Sequence, residues 1–300
     1  MGRCLTDINA ATLLRWMENA AAAHEKKTNT VNAEREKGAK TGSNIQGKGS
    51  ELRQGYVRAR AFFRWVNQRE EYKGVVDPAI FARDDIRALL PKGKPKNDTL
   101  ERGQLEAWFE AVRGISNQVI SSYLQILLLT GARRNELSTL KWSNVDFQWK
   151  ALWVRDKVEG EEGRKIPLTP YVEHLISRLP RRNEFVFSSQ TSESGRMVEP
   201  RIAHKRALSA AGLPSELSLH GLRRSFASLS EWCEMPVGVV AQIMGHKPSA
   251  TAEKHYKRRP LDLLAVWHTK LEAWILEQAK VPFDADAAQE GLHAVTDTGA

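Results

Sequence analysis

The octapeptide LHGLRRSF, residues 219–226, decides how the rest of the chain is read. His220 and Arg223 stand at i and i+3, so on a helix they share one face. An HxxR pair alone is common by chance. It gains meaning from four companions at fixed distances. Arg133 stands 87 residues before His220, in TGARRNEL (130–137). His246, in IMGHK (243–247), stands 23 residues after Arg223, and Tyr256, in EKHYKR (253–258), a further 10 residues on. Between the first two strings lies VRDKVEGEEGRKIPL (154–168), with Lys157 and Lys165.

The residue types point to phosphodiester chemistry without a metal. Guanidinium is planar and permanently charged, and it pairs two phosphate oxygens at once. Arg133 follows a Thr-Gly break after an apolar helix, so it sits at a loop where a side chain reaches into a cleft. Its neighbour Arg134 is expected to be structural or exposed. Gly245 reads as a helix end that presents His246. A tyrosine normally packs half-buried with a wet hydroxyl. Tyr256 is instead flanked by His255, Lys257, Arg258 and Arg259, an unlikely core but a fitting site for a phenolate. Free tyrosine has a pKa near 10, so a dense cationic site is what would activate it. No HExxH, metal-spaced carboxylate pair or GxxxxGK[ST] string is present, and no metal or cofactor is expected.

Composition agrees. The 300 residues carry a net charge of +9 with 41% hydrophobic content, which suits a soluble protein with a polyanionic partner. Residues 1–97 contribute 19 basic and 11 acidic side chains, residues 98–260 contribute 24 and 18, and residues 261–300 contribute 2 and 7. The positive charge therefore lies on the first two segments. No apolar run approaches the ~18 residues of a membrane helix, and the N-terminus lacks the pattern of a secretory signal. Cys4 and Cys233 form no ligand-spaced pair and read as reduced thiols in a cytoplasmic protein.

Hydrophobic periodicity predicts a helix over 6–23, opened by an Asp or Asn cap, then a polar loop over 26–50. A second helix follows over 50–70, with Tyr56, Ala59, Phe63 and Val66 on one face and Arg53, Arg58, Arg60, Arg64 and Arg69 spread around it. PKGKPKND (91–98) reads as a linker, solvated by Lys92, Lys94 and Lys96. Helices are then expected at 101–113, 117–130, 170–178, 199–211, 220–233, 236–244, 249–257 and 261–279. The second of these is apolar all round and so buried. Strands are expected near 144–147, 151–155 and 164–168, with EGEEG (159–163) as a turn. Residues 281–300 lack periodicity and are expected to be disordered.

The strings, their order and their spacing resemble the tyrosine recombinase, or phage-integrase, family. The resemblance is strong over 99–260 and looser before. It implies an α-rich, two-domain protein forming a C-shaped DNA clamp. Residues 1–95 would be an all-α core-binding domain, and 96–280 a mixed α/β catalytic domain with a small antiparallel sheet. An N-terminal arm-binding domain, carried by many prophage integrases, is expected to be missing. The resemblance makes Tyr256 the nucleophile, Arg133 and Arg223 the phosphate clamps, and His220 and His246 partners of the phosphate or leaving group. Glu136 would brace Arg133. The family's hairpin lysine, the general acid toward the departing 5′ oxygen, maps to Lys157, with Lys165 as its rival. Many relatives have Asp where this chain has Gly221, a departure expected to alter helix entry and not chemistry. Arg53, Arg58, Arg60, Arg64, Lys92, Lys94 and Lys96 become candidate phosphate contacts. The expected partners are double-stranded DNA, further copies of the chain in a tetramer joined through helix 260–279, and DNA-bending or directionality factors. The activity implied is integration or excision of a mobile element in a bacterial, nucleoid-associated setting. The alternatives are a type IB topoisomerase and a non-catalytic DNA-binding protein of the same fold.

Overall fold

The computed structural model describes residues 9, 11–20, 22–23, 46–75, 77–90, 98–156, 160–198, 200–246 and 259–285. Two compact units divide the chain, Met1–Lys96 and Asn97–Ala300.

In the first unit, Asn9 opens a helix over 11–20 (α1), its side chain accepting from Thr12 N at 2.9 Å. This is the expected Asx cap. α2 (Gln46–Asn67) begins inside the stretch read as a loop. It buries Leu52, Tyr56, Phe63 and Val66, four residues of one helical face. Leu52, Tyr56 and Phe63 meet Leu13 and Met17 of α1, Ile80 and Phe81 of a 3₁₀ turn (Pro78–Ala82), and Ile86 of α3 (Asp84–Ala88). Asp77 caps the 3₁₀ turn through Ala79 N at 2.8 Å. Tyr56 donates its hydroxyl to the Phe81 carbonyl, which satisfies its polar end inside the core. Arg53, Arg58 and Arg64 are exposed on α2, and Arg60 is half-buried.

The second unit starts with α4 (Leu105–Arg113) and α5 (Gln118–Thr130). Asn117 caps α5 through Val119 N at 3.0 Å and Ile120 N at 3.2 Å. From Val119 to Thr130 every residue except Ile120 is buried, as the apolar run predicts. Its polar members are satisfied locally: Thr130 Oγ1 donates to Ile126 O at 2.7 Å, and Gln125 accepts from the Tyr171 hydroxyl at 2.8 Å. A short α6 (Arg134–Ser138) leads to a three-stranded antiparallel sheet, β1 (Val145–Asp146), β2 (Ala151–Asp156) and β3 (Gly160–Pro167). Helices α7 (Pro170–Ser177), α8 (Arg201–Ala210), α9 (Leu219–Ser230) and α10 (Val237–Met244) follow, and α11 (Leu261–Gln278) closes the unit. No helix among the described residues is long and apolar enough to cross a membrane.

One expectation changes. The stretch EGEEG was read as a turn, but β3 already starts at Gly160. The ladder pairs Trp153 with Lys165 and Val154 with Arg164, then shifts register before Asp156 meets Gly160. Gly163, at φ +63°, supplies the left-handed residue of this bulge, so the acidic run enters the strand. α11 packs its apolar stripe inside the unit. It buries Leu264, His268, Leu271, Glu272, Ile275 and Leu276 within its own unit. His268 Nε2 donates to Leu129 O at 2.8 Å. The Glu272 carboxylate caps α7, accepting from Tyr171 N at 2.8 Å, Val172 N at 3.2 Å and the Thr169 hydroxyl. Leu263 and Val266 are the large apolar residues that α11 leaves exposed.

Candidate active site

Two helix ends build the site. α5 stops at Gly131, at φ +58°, where a Cβ would lie 2.7 Å from the Phe226 ring. Glycine alone satisfies both the left-handed backbone and the close approach. The chain then turns extended through Arg133, the N-cap of α6. α10 stops at Gly245, at φ +68°, in a Schellman turn: Gly245 N donates to Gln242 O at 3.2 Å and His246 N to Ala241 O at 2.9 Å. His246 emerges exposed, as the sequence suggested.

The arginines dock on these ends. Arg133 Nη2 donates to Gly245 O at 2.9 Å, and Arg223 Nη1 to Gly131 O at 2.5 Å. Helix C-termini carry unpaired carbonyls and partial negative charge, so they suit guanidinium groups. Arg223, on α9, is buried at 3% exposure. A side chain so placed is held by the fold and aimed in one direction.

Glu136 completes the setting of Arg133. Its carboxylate accepts from Arg133 N at 2.7 Å and pairs with Nη1 at 2.6 Å. It also pairs with Arg164 Nη2 at 2.8 Å. Arg164 in turn donates Nε to Ile243 O at 2.9 Å, beside the turn that carries His246. Burial works to raise the Glu136 pKa, but Arg164 and then Arg133 outweigh it, and the carboxyl is held below its ordinary value. One carboxylate thus binds two guanidinium groups and ties α6, β3 and the end of α10 together.

α9 is held at its start by Asp98. Ser218 caps the helix through Gly221 N at 3.0 Å and donates its hydroxyl to Asp98 Oδ2 at 2.7 Å, while Asp98 Oδ1 pairs with Arg224. Desolvation pushes the Asp98 carboxyl up, yet Ser218 and Arg224 bring it below the usual carboxylate range. A Cβ at residue 221 would run into the Asp98 carbonyl and sit 2.9 Å from Leu217 Cδ1. This explains Gly221: the place beside His220 is filled by the backbone and carboxylate of Asp98. His220 is exposed, and its pKa is lowered by desolvation and then by Arg224, Arg223 and Arg133, with Asp98 opposing. Its neutral form is therefore favoured, and it lies in the field of both candidate phosphate clamps.

Arg133, Glu136, His220, Arg223 and His246 are thus set on helix ends that the Glu136 and glycine-carbonyl contacts join. Lys157 and Tyr256 lie outside the described residues, as do Lys92, Lys94 and Lys96. Lys165 packs its ammonium 4.1 Å over the Trp153 ring, on the solvent face of the sheet. Arg164, next to it, faces the opposite way into the site. Arg134 is half-buried, with Nε 3.2 Å from Asn135 Oδ1. Sequence reading missed Arg164, Asp98 and Arg224. Strand alternation held a signal for the first, because Arg164 shares its face with buried Ile166. Asp98 had none, lying 120 residues from Ser218.

Comparison with known proteins gives the same direction. The profile described as "Phage integrase family" matches residues 98–260. Prophage integrase IntF of Escherichia coli K12 is 52% identical over 235 residues, 75% of this chain and 49% of its own length. Tyrosine recombinase XerC of Rickettsia canadensis is 23% identical over 238 residues, covering 73% of this chain and 72% of XerC. The chain spans about half the length of IntF and of the integrase of Shigella phage Sf6. The Tn1549 transposon integrase, solved in complex with circular intermediate DNA, superposes with a TM-score of 0.60 at 18% identity, over 87% of this chain and 84% of that one. A lambda integrase dimer bound to a COC′ core site gives 0.50 at 16%, over 79% and 82%. At these identities the structural likeness concerns the fold. Since the profile match extends over more than half of its residues, the chain belongs to the phage integrase family.

Proposed function

We propose that this protein cuts and rejoins DNA through a 3′-phosphotyrosyl intermediate, integrating or excising a mobile element. The Tyr256 oxygen attacks phosphorus and the bond to the 5′ oxygen breaks. The 5′ hydroxyl leaves with a proton from Lys157, and the phenolic proton passes to solvent or a neighbouring base. Attack by a 5′ hydroxyl from another strand reverses the step and regenerates the tyrosine. The bond energy is kept in the covalent intermediate, so no nucleotide is consumed.

The observation that carries this reading is the placement of Arg133 and Arg223 on the carbonyls of Gly245 and Gly131, with His220 between their fields. Preorganised cations of this kind stabilise the charge of the pentacoordinate phosphorane, and loss of one such donor costs on the order of 10²–10³ in rate. Neutral His220 donates one N–H to a non-bridging oxygen, and His246 serves the phosphate or the leaving group. Residues 1–95 form the core-binding domain, with Arg53, Arg58, Arg60 and Arg64 on phosphates and Lys92, Lys94 and Lys96 in the linker. Residues 96–280 form the catalytic domain, the two clamp DNA as a C, and a tetramer on DNA performs strand exchange. The tetramer is joined through helix 260–279, whose exposed Leu263 and Val266 would meet a neighbour.

Trapping tests this. Wild type and Tyr256→Phe are incubated, with EDTA, with nicked duplexes tiled from DNA flanking the gene. An SDS-resistant, protease-sensitive adduct from wild type alone is the expected result. Duplex binding by wild type with no adduct, where a control recombinase is trapped, would sink the catalytic reading.

A further inference from the structure

Gln242 has two tasks on α10. Its carbonyl accepts from Gly245 N at 3.2 Å, inside the turn that presents His246. Its side chain reaches across 17 residues to the far side of the tyrosine segment: Nε2 donates to Arg259 O at 2.9 Å, and Arg259 N donates to Oε1 at 3.1 Å. The carboxamide therefore pairs with both main-chain groups of one residue, as a strand neighbour would. Arg259 is biased toward extended backbone because Pro260 follows it. Its guanidinium lies against Gly238, where a Cβ would collide with it. Tyr256 is three residues before Arg259 in the sequence.

We infer that Gln242 is a positioning residue for Tyr256, fixing the chain just past the nucleophile to the helix end that carries His246. This rests on the function proposed above. The role is separable from folding. α11 is held independently by His268, Glu272 and its apolar stripe, so loss of the carboxamide unpairs both main-chain groups of Arg259 and leaves the unit folded.

The test measures single-turnover cleavage of the trapped duplex by full-length wild type, Gln242→Ala and Gln242→Glu across pH 5.5–8.5, with duplex affinity and Tm alongside. Gln242→Ala is expected to cleave ~10–100-fold more slowly, since a misplacement of about 1 Å costs rates of that order, with affinity and Tm kept. Gln242→Glu has no donor for Arg259 O when ionised, and regains one when protonated. Its rate relative to wild type is expected to rise as pH falls, whereas the Gln242→Ala ratio stays flat. A duplex with a 5′-bridging phosphorothiolate, whose leaving group needs no proton, is expected to rescue Lys157→Ala but not Gln242→Ala. Wild-type cleavage by Gln242→Ala, a rate loss matched by falling Tm or affinity, or rescue by the phosphorothiolate would each overturn the inference. A wild type that forms no adduct overturns the parent reading and the inference with it, and is distinguished by the absence of any rate to compare.

Discussion

Glycine 221 shows how one residue is decided by a partner far away in sequence. Asp98 reaches the start of α9 from the start of the unit, and residue 221 must be small to admit it. Gly221→Asp is therefore expected to destabilise this protein. Overpacking and the meeting of two carboxylates set the scale at about 1–3 kcal/mol, read from urea unfolding. Asp98→Ala in the same chain should recover part of that loss, and a double-mutant cycle gives the coupling. A loss of equal size with and without Asp98 would refute the account. Arg133, Arg223, His220 and His246 could be singled out as candidates because each lies in a local string. Asp98 could not, because the contact that gives it meaning forms only in the folded chain.

Elements show the same division. The caps at Asn9 and Asn117, the buried run of α5 and the glycine stops at 131 and 245 all follow from local rules, and they stand where periodicity and turn chemistry put them. Strands β2 and β3 lie over the expected stretches too, but the bulge between them does not follow from local rules, because a bulge is a property of two strands. Gly163 admits it, and a Cβ there would lie 2.6 Å from Val154 O. Gly163→Ala is expected to cost about 1–3 kcal/mol through the left-handed backbone alone. It should also shift Arg164, the next residue, out of reach of Glu136, so cleavage falls together with stability. Urea unfolding and single-turnover rates check both; unchanged kinetics in a destabilised variant would separate the bulge from the site. α11 was legible as an amphipathic helix, but not in its destination. Its buried polar pair, His268 and Glu272, answers groups on α5 and α7 that no helical wheel displays.

For the whole molecule, those buried groups set the response to pH. Burial lowers His268 and His204 to about 4, while it raises Glu272 to about 7. The Trp108 indole donates to His204 Nε2 at 3.2 Å, which requires that nitrogen to be unprotonated. Between pH ~4 and 6.5 the unfolded chain binds the histidine protons and the folded one does not, so stability rises with pH. Glu272 acts in the opposite sense between its ordinary value and about 7, because there the folded state holds the extra proton. Two groups outweigh one, and Tm is expected to climb from pH 4.5 to 6.5. His268→Gln should flatten the climb and Glu272→Gln should steepen it, as read by calorimetry across that range. The reverse order would overturn these assignments. The docking of Arg133 and Arg223 on Gly245 and Gly131 also bears on descent. Each arginine closes a helix end as well as facing the site, so the fold itself selects for it. Were the proposed activity lost from a lineage, both would be kept long after Tyr256, whose retention is the better mark of that activity.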